Sequence, residues 1–453
     1  MARGVRAGYV ALFALGAALA AGVFTTAGAA TGADPAAPGL PAEPSSSAPA
    51  PLLTAAEAVR LGLENNFALA LVRDQTDLAT LNRQTGAGAF LPTASASASH
   101  GGELGTDAPS RTTVGVGANL QIFNGFQTTF AYRRLKTQET AAVLREQAAV
   151  ESTVESILAA YYEVARQKLG LSALREALAV SRERAELARS RQEVGAGSRL
   201  EFLQAQADLN ADSSALMSQE NALREARFRL NGLLGRAPAI PFDVPDTIPV
   251  EHALAVDAWR AALAERNPTL REARAQVRAS ELSVREARGA YLPTLSGGLS
   301  YSTAPEALNP TPSVTTSDAI NYSLNLSLPL FTGLRTRQSV GTSRINLRRQ
   351  ETTLKQVEQE ILTEYAQAEA RYASGLRQIE LEERNIEVAR LQAEAARERY
   401  RVGASSALEF RDAQQRLLTA RVRLATVRQT AKQSELSLKR LAGVLATPVS
   451  PEH

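Results

Sequence analysis

Residues 126–194 contain no proline, and apolar or small side chains recur through them at strict seven-residue spacing: Val143, Val150, Ile157, Val164, Leu171, Leu178 and Ala185. Heptads sustained over this length specify a long helix in a coiled-coil seam rather than a short helix on a globular core. Gly170 is the only helix-weakening step before the glycines at the end. At about 1.5 Å per residue an uninterrupted helix here spans roughly 100 Å. That predicts an extended molecule.

The heptads stop at Val194, Gly195, Ala196 and Gly197, where two glycines permit a tight reversal. Phe202, Leu209, Leu216, Leu223 and Leu230 then carry the same spacing back, so the two segments form an antiparallel helical hairpin. Residues 236–253 are too proline-rich for helix and read as a connector.

Upstream, Thr54 and Glu57 have capping-box spacing, and the helical pattern they open runs towards Phe90 and ends at Leu91-Pro92. The period then changes from helical to two. Ala94, Ala96 and Ala98 alternate with serines, and Val114, Val116, Ala118, Leu120 and Ile122 alternate with Thr, Gly, Asn and Gln. Strands over about 93–100 and 112–123 follow.

The whole arrangement recurs. Tyr291-Leu292-Pro293 answers Phe90-Leu91-Pro92 at an offset of 201 (293 − 92). Leu330-Phe331-Thr332-Gly333 answers Ile122-Phe123-Asn124-Gly125 at 208 (333 − 125), and Val402-Gly403 answers Val194-Gly195 at the same offset. Phe410, Leu417, Leu424, Ala431 and Leu438 repeat the returning helix. This is an internal tandem duplication, with a first repeat over 52–235, a second over 254–445 and a tail at 446–453. The second pair of strands falls at about 294–303 and 319–330. The seven-residue difference lies inside the strand hairpin, which predicts a longer tip loop there.

At the N-terminus, Arg3 and Arg6 precede an apolar run over 9–24 and the small residues Ala27, Gly28 and Ala29. This is the layout of a signal peptide, residues 1–29, with a retained anchor helix as the other reading. Residues 30–51 are a flexible leader of Pro, Ala and Ser. The 50 basic and 47 acidic residues nearly cancel, which argues against a nucleic-acid partner. The sequence has no Cys, and its His residues, His100, His252 and His453, are far apart. No metal site, cofactor or thiol chemistry is expected.

Strands about ten residues long, apolar on one face and small or polar on the other, suit a transmembrane β-barrel. A soluble half-buried sheet is the plainer reading of any one of them, but here the neighbouring helices offer no globular core to cover. Four strands cannot close a barrel, and an open edge in lipid leaves backbone groups unpaired. The barrel must be shared among subunits.

In its duplicated order of helix, strand hairpin, helix, Val-Gly turn and helix, in the Leu-Pro before each first strand, and in Val-Gly-x-x-x-x-x-Glu-Phe at both reversals, the chain resembles the TolC-type outer-membrane efflux protein family. The resemblance implies a mixed α and β membrane protein. Long antiparallel coiled-coil helices would form an α-barrel across the periplasm, and each chain would give four strands to one twelve-stranded β-barrel shared by a homotrimer. It also implies a periplasmic adaptor protein, an inner-membrane pump of the RND, ABC or MFS type, and contact with outer-membrane lipid. With no Cys, the acylated cysteine of some relatives has no counterpart, so the barrel alone is expected to hold the protein in the membrane.

By the same resemblance Glu409 and Asp412 form carboxylate rings at the periplasmic mouth, and Tyr400 and Glu201 tie the closed mouth together. Val194, Gly195, Val402 and Gly403 are the adaptor-docking reversals. The family's basic partner in the Tyr–acid network would fall at Ser405 and a hydroxyl-bearing partner at Leu200, so Arg199 and Arg401 are the candidate substitutes. Simpler roles stand beside these. Carboxylates early in a helix complement its dipole, Tyr400 continues a heptad row, and Val-Gly caps a helix. A periplasmic adaptor or another coiled-coil scaffold is the alternative protein class, although neither needs two hairpins of membrane-length strands. No nucleophile motif, phosphate loop or metal-ligand spacing points to an enzyme.

Overall fold

A computed structural model of the chain describes residues 51–101, 111–308 and 313–446. The expected signal peptide and, apart from Pro51, the leader lie outside the described residues, as does the tail beyond Ala446. Helix α1 (Ala55–Asn65) starts where Thr54 Oγ accepts the Glu57 N–H at 3.2 Å. It stops at Asn66, so the single helix expected from Thr54 towards Phe90 is two. Asn66 is extended, caps α2 (Phe67–Ala87) by accepting from Leu69 N–H, and donates its amide to Leu233 O at 2.9 Å. A side chain that satisfies both the new helix's free donor and a distant carbonyl outweighs one more turn of helix.

Four antiparallel strands follow in two hairpins: β1 (Thr93–Gly101) with β2 (Arg111–Asn124), and β3 (Thr294–Leu308) with β4 (Ser313–Ser327). The hairpins pair through β2 and β3, giving one sheet in the order β1-β2-β3-β4. The register sets Ala96 beside Val116, Val116 beside Tyr301, and Tyr301 beside Ile320, so one face is apolar. The opposite face carries Ser97, Gly115, Ser302 and Asn321. One expectation is corrected here. β4 ends at Ser327 rather than at 330, because Pro329 has no N–H to give the ladder. The longer tip loop expected of the second hairpin lies outside the described residues.

Each hairpin enters a 67-residue helix, α3 (Gln127–Glu193) and α7 (Arg335–Arg401), through a corner of two successive left-handed residues. These are Gly125 with Phe126, and Gly333 with Leu334. At Gly125 both conformation and space demand glycine, since an added Cβ would lie 2.2 Å from the Gly289 carbonyl oxygen. The returning helices are α4 (Arg199–Leu233) and α8 (Ala407–Leu441). Between the repeats, α5 (Val256–Arg266) and α6 (Pro268–Gly289) follow the connector.

The helices pack α2 on α3, α3 on α6 and α6 on α7, the same order as the strands. Below them α3 pairs with α4, α7 with α8, and α8 also touches α3. The heptad seam is dry in its middle. Ile157 and Val164 are fully buried with Leu230 and Leu234, and the connector adds Phe242, Val244 and Ile248 to this core. Burying each of these large side chains stabilises the fold by about 1.5–3 kcal/mol. A second cluster joins Leu263 and Leu270 to Tyr365, Tyr372, Leu438 and Leu441. Nearer the sheet Val143 is 40% exposed, because there the helices form a single layer with no second helix behind it.

Candidate functional site at the helix reversals

The two reversals are built alike. Each long helix ends on valine, Val194 or Val402, with φ −88° and ψ 4°. A glycine at φ +75°, Gly195 or Gly403, follows. Gly195 N–H donates to Gln192 O and Ala196 N–H to Arg191 O; Gly403 N–H donates to Tyr400 O and Ala404 N–H to Arg399 O. These are paired Schellman bonds, and they need glycine for its φ rather than for space. Ser198 and Ser406 then cap the returning helices by accepting from Glu201 N–H at 3.0 Å and Glu409 N–H at 3.2 Å.

Their side chains differ. Tyr400 is buried and stacks on Phe410 with ring centroids 5.4 Å apart. Its hydroxyl donates to Glu201 Oε1 at 3.0 Å, joining the second long helix to the first returning one. Burial, and then the hydrogen bond and charge of Glu201, push the Tyr400 phenol above its ordinary range, so it remains a donor. Glu409, by contrast, is exposed and accepts from Arg399 Nη1 at 3.1 Å. Asp412 is exposed too, paired with Arg416 one turn on at 2.9 Å.

The basic partner of the Tyr–acid pair is Arg191. Its guanidinium lies 5.0 Å from the Tyr400 ring centre, donates to Tyr400 O at 3.0 Å and comes within 4.0 Å of Glu201. From the sequence, Arg199 and Arg401 are the residues expected in that place. Arg401 pairs locally with Glu398, and Leu200 is 65% exposed. The duplication itself marks Arg191: 208 residues on stands Arg399, which meets Glu409 as Arg191 meets Glu201.

No periodicity in the sequence marks a buried polar cluster beside this contact, where α8 meets α3 and α4. Asp212 accepts from Arg411 Nη1 at 2.6 Å and Nη2 at 2.9 Å, and from Ser181 Oγ at 2.5 Å. Arg184 pairs with Asp208, and Gln414 donates to Ala177 O. Burial opposes the charge on Asp212, but the hydrogen bonds from Arg411 and Ser181 outweigh it and hold the carboxyl below the usual carboxylate range. At the tip, far from the sheet, apolar side chains are bare: Val194, Leu200, Val402 and Leu408 are each at least 65% exposed.

Together these features describe a subunit of a channel. Its sheet presents Ile320, Tyr322, Leu324 and Leu326 at 69–88% exposure on one face, more apolar surface than a soluble sheet leaves open. No helix among the described residues is long and apolar enough to cross a membrane. The chain belongs to the outer membrane efflux protein family, whose model matches residues 58–236 and 259–444. It is 27% identical over 342 residues to the outer membrane efflux protein BepC of Brucella suis, a match covering 73% of this chain and 72% of that protein. It is 28% identical over 330 residues to the pyoverdine export outer membrane protein OpmQ of Pseudomonas aeruginosa, covering 66% of each.

Its fold is that of the Campylobacter jejuni CmeC outer membrane channel, with a TM-score of 0.76 at 18% identity over 86% of this chain and 85% of that one. It also matches the Neisseria gonorrhoeae MtrE outer membrane channel, with a TM-score of 0.72 at 18% identity over 86% and 88%. The protein is thus the outer-membrane channel of a tripartite efflux or secretion system, lying in the outer membrane and extending into the periplasm. Family and fold alike are those of channel proteins rather than enzymes.

Proposed function

We propose that three copies of this chain close one tunnel, each repeat (52–235 and 254–445) supplying two strands and one helical hairpin. One observation carries this reading: the sheet ends on the unpaired edges of β1 and β4. An open edge in lipid is untenable, so β4 of one copy pairs with β1 of the next and twelve strands close. The helices support the same closure. On α2, Phe67, Leu71, Leu78 and Leu81 follow heptad spacing at 53–74% exposure, a seam without a partner inside the chain.

At the other end the Tyr400–Glu201–Arg191 contact is the latch of the resting mouth, and Glu409 and Asp412, brought together by the threefold axis, make a cation-preferring constriction. The ion pairs to Arg399 and Arg416 moderate that charge within each copy. The exposed valines and leucines around Gly195 and Gly403 are the docking surface for a periplasmic adaptor, which joins the tunnel to an inner-membrane pump.

The test is the outer-membrane fraction and detergent-solubilised mass of the full-length protein, followed by conductance in planar bilayers. A trimer is expected, with a cation preference that falls in the Glu409→Ala, Asp412→Ala double variant. A monomer would remove the shared barrel, and unchanged selectivity would remove the carboxylates from the constriction.

A further inference from the structure

Below the sheet, α7 begins with five arginines, Arg335, Arg337, Arg344, Arg348 and Arg349, and residues 328–350 hold no Asp or Glu. Arg337 and Arg344 converge with Arg288 of α6 on a surface depression of about 390 Å³ whose remaining lining is Tyr291, Val340 and Gly341. All three guanidinium groups are exposed, and among the described residues none is paired with a carboxylate. Arg134 with Glu286 and Arg274 with Glu358 are paired nearby, and Arg271, Arg278 and Arg285 of α6 have no carboxylate partner among the described residues either, so what sets Arg288, Arg337 and Arg344 apart is their convergence on one depression. Immediately towards the sheet stand exposed apolar side chains: Tyr291, Leu330 at 90%, Phe331 at 82% and Leu334 at 62%. Going down the molecule, the order is therefore apolar strand face, aromatic and aliphatic rim, then unpaired cations. Only the boundary between acyl chains and phosphate groups presents that order to a protein.

The depression opens outward. Its α7 row continues by heptads from Arg337 and Arg344 to Tyr365, which donates to Val256 O at 2.7 Å, and its α6 row runs from Arg288 to Arg274, which donates to Ala264 O. Both acceptors belong to α5, so the rows share the face that α5 covers. Three copies of α5 and its connector on the inner face would fill the tunnel, so that face is the outer one.

The duplicated counterpart has no such set. At the offset of 208, Arg335, Arg337 and Arg344 correspond to Gln127, Thr129 and Lys136, and at 201 Arg288 corresponds to Ala87. Ancestry and helix propensity therefore do not account for the cluster. We propose that Arg288, Arg337 and Arg344 bind the phosphodiester headgroup of an anionic phospholipid in the periplasmic leaflet, with Tyr291 at the glycerol level and Leu330 and Phe331 against its acyl chains. Guanidinium forks match phosphate oxygens in pairs, and a doubly phosphorylated headgroup would engage all three.

This inference rests on the membrane placement of the sheet. The experiment uses the full-length protein extracted from outer membranes into nanodiscs containing cardiolipin and phosphatidylcholine, with bound lipid read by native mass spectrometry. Cardiolipin is expected to be enriched on the wild type, and the enrichment to fall roughly tenfold in Arg288→Gln, Arg337→Gln, Arg344→Gln. It should survive replacement of all three by Lys in large part, and survive Lys136→Gln fully. Equal lipid profiles for wild type and the Gln variant would overturn the proposal. So would displacement of cardiolipin by inorganic phosphate at equal concentration, which would mark a free-anion site, or a change of ion selectivity with bound lipid unchanged, which would place the arginines in the tunnel. If the triple variant does not accumulate, Arg337→Gln alone, titrated with cardiolipin, decides. Failure of the membrane reading itself looks different, because no lipid would accompany the wild type at all.

Discussion

The two repeats share a backbone and diverge in chemistry. At the reversals the cap angles and Schellman bonds coincide, yet Tyr400 in the second repeat stands where the first has Gln192, and Glu201 is drawn into a buried contact while Glu409 stays in solvent. Ser181 and Asp212 correspond to Ala389 and Ala420, and Arg411 to Leu203. The contrast teaches that turn geometry was retained where any deviation would break the hairpin. Polar groups were placed asymmetrically where the hairpins meet one another. Each repeat supplies one side of the contact between the hairpins, and the two sides carry different side chains.

The sharpest way to break that view is Asp212→Ala, which would leave Arg411 and Ser181 without the carboxylate they share. Removing one member of a buried pair costs about 3 kcal/mol or more, so a clearly lowered urea midpoint is expected; a loss no larger than that of Asp412→Ala would show that the cluster is incidental. Next come Gly195→Ala and Gly403→Ala, which force a Cβ into φ +75°. Each should lose about 1–2 kcal/mol and by equal amounts, and unequal losses would end the equivalence of the turns. Tyr400→Phe removes the donor to Glu201 but keeps the stacking on Phe410, so about 0.5–1.5 kcal/mol is expected from thermal unfolding. Its larger effect should be on conductance, which rises if the contact holds the mouth closed and is unaltered if Tyr400 only packs. Asp412→Ala, on an exposed pair one turn apart, should change stability by less than about 0.5 kcal/mol.

Acid gives an independent reading of the same asymmetry. The Asp212 carboxyl is held below its unfolded value, so its contribution is fully present above the unfolded pKa of about 4 and is lost as pH falls through the lower folded value. Asp212→Asn should flatten the stability profile below about pH 4. Ala420, its counterpart, contributes nothing to that slope.

Much of this was legible from residue periodicity. The heptads place α3, α4, α7 and α8, and period-two alternation places the strands, because burial against one face leaves a mark at every step. Breaks decided by a single side chain were not legible. Asn66 ends a helix through a bond to Leu233, and Pro329 ends β4 through a missing donor. The duplication makes both Val-Gly turns legible, whereas Tyr400 and Glu201 are singled out by the family resemblance and not by the repeat, in which Gln192 answers Tyr400. Arg191 was available by the offset from Arg399 but needed Glu409's partner to be known first. The bond between Asp212 and Arg411 spans 199 residues and departs from the repeat, so no periodicity announces it.

The sheet face opposite the apolar one has a consequence for transit. Ser95, Ser97, Ser99, Thr113, Asn119, Ser300, Ser302, Asn321, Ser323 and Asn325 offer hydroxyls and amides and no formal charge. Lining the tunnel proposed above, these groups would let a solute trade its hydration shell for them almost evenly along this stretch. In that proposed tunnel any sorting by sign would fall to the lower mouth, and passage along this stretch would be set by girth.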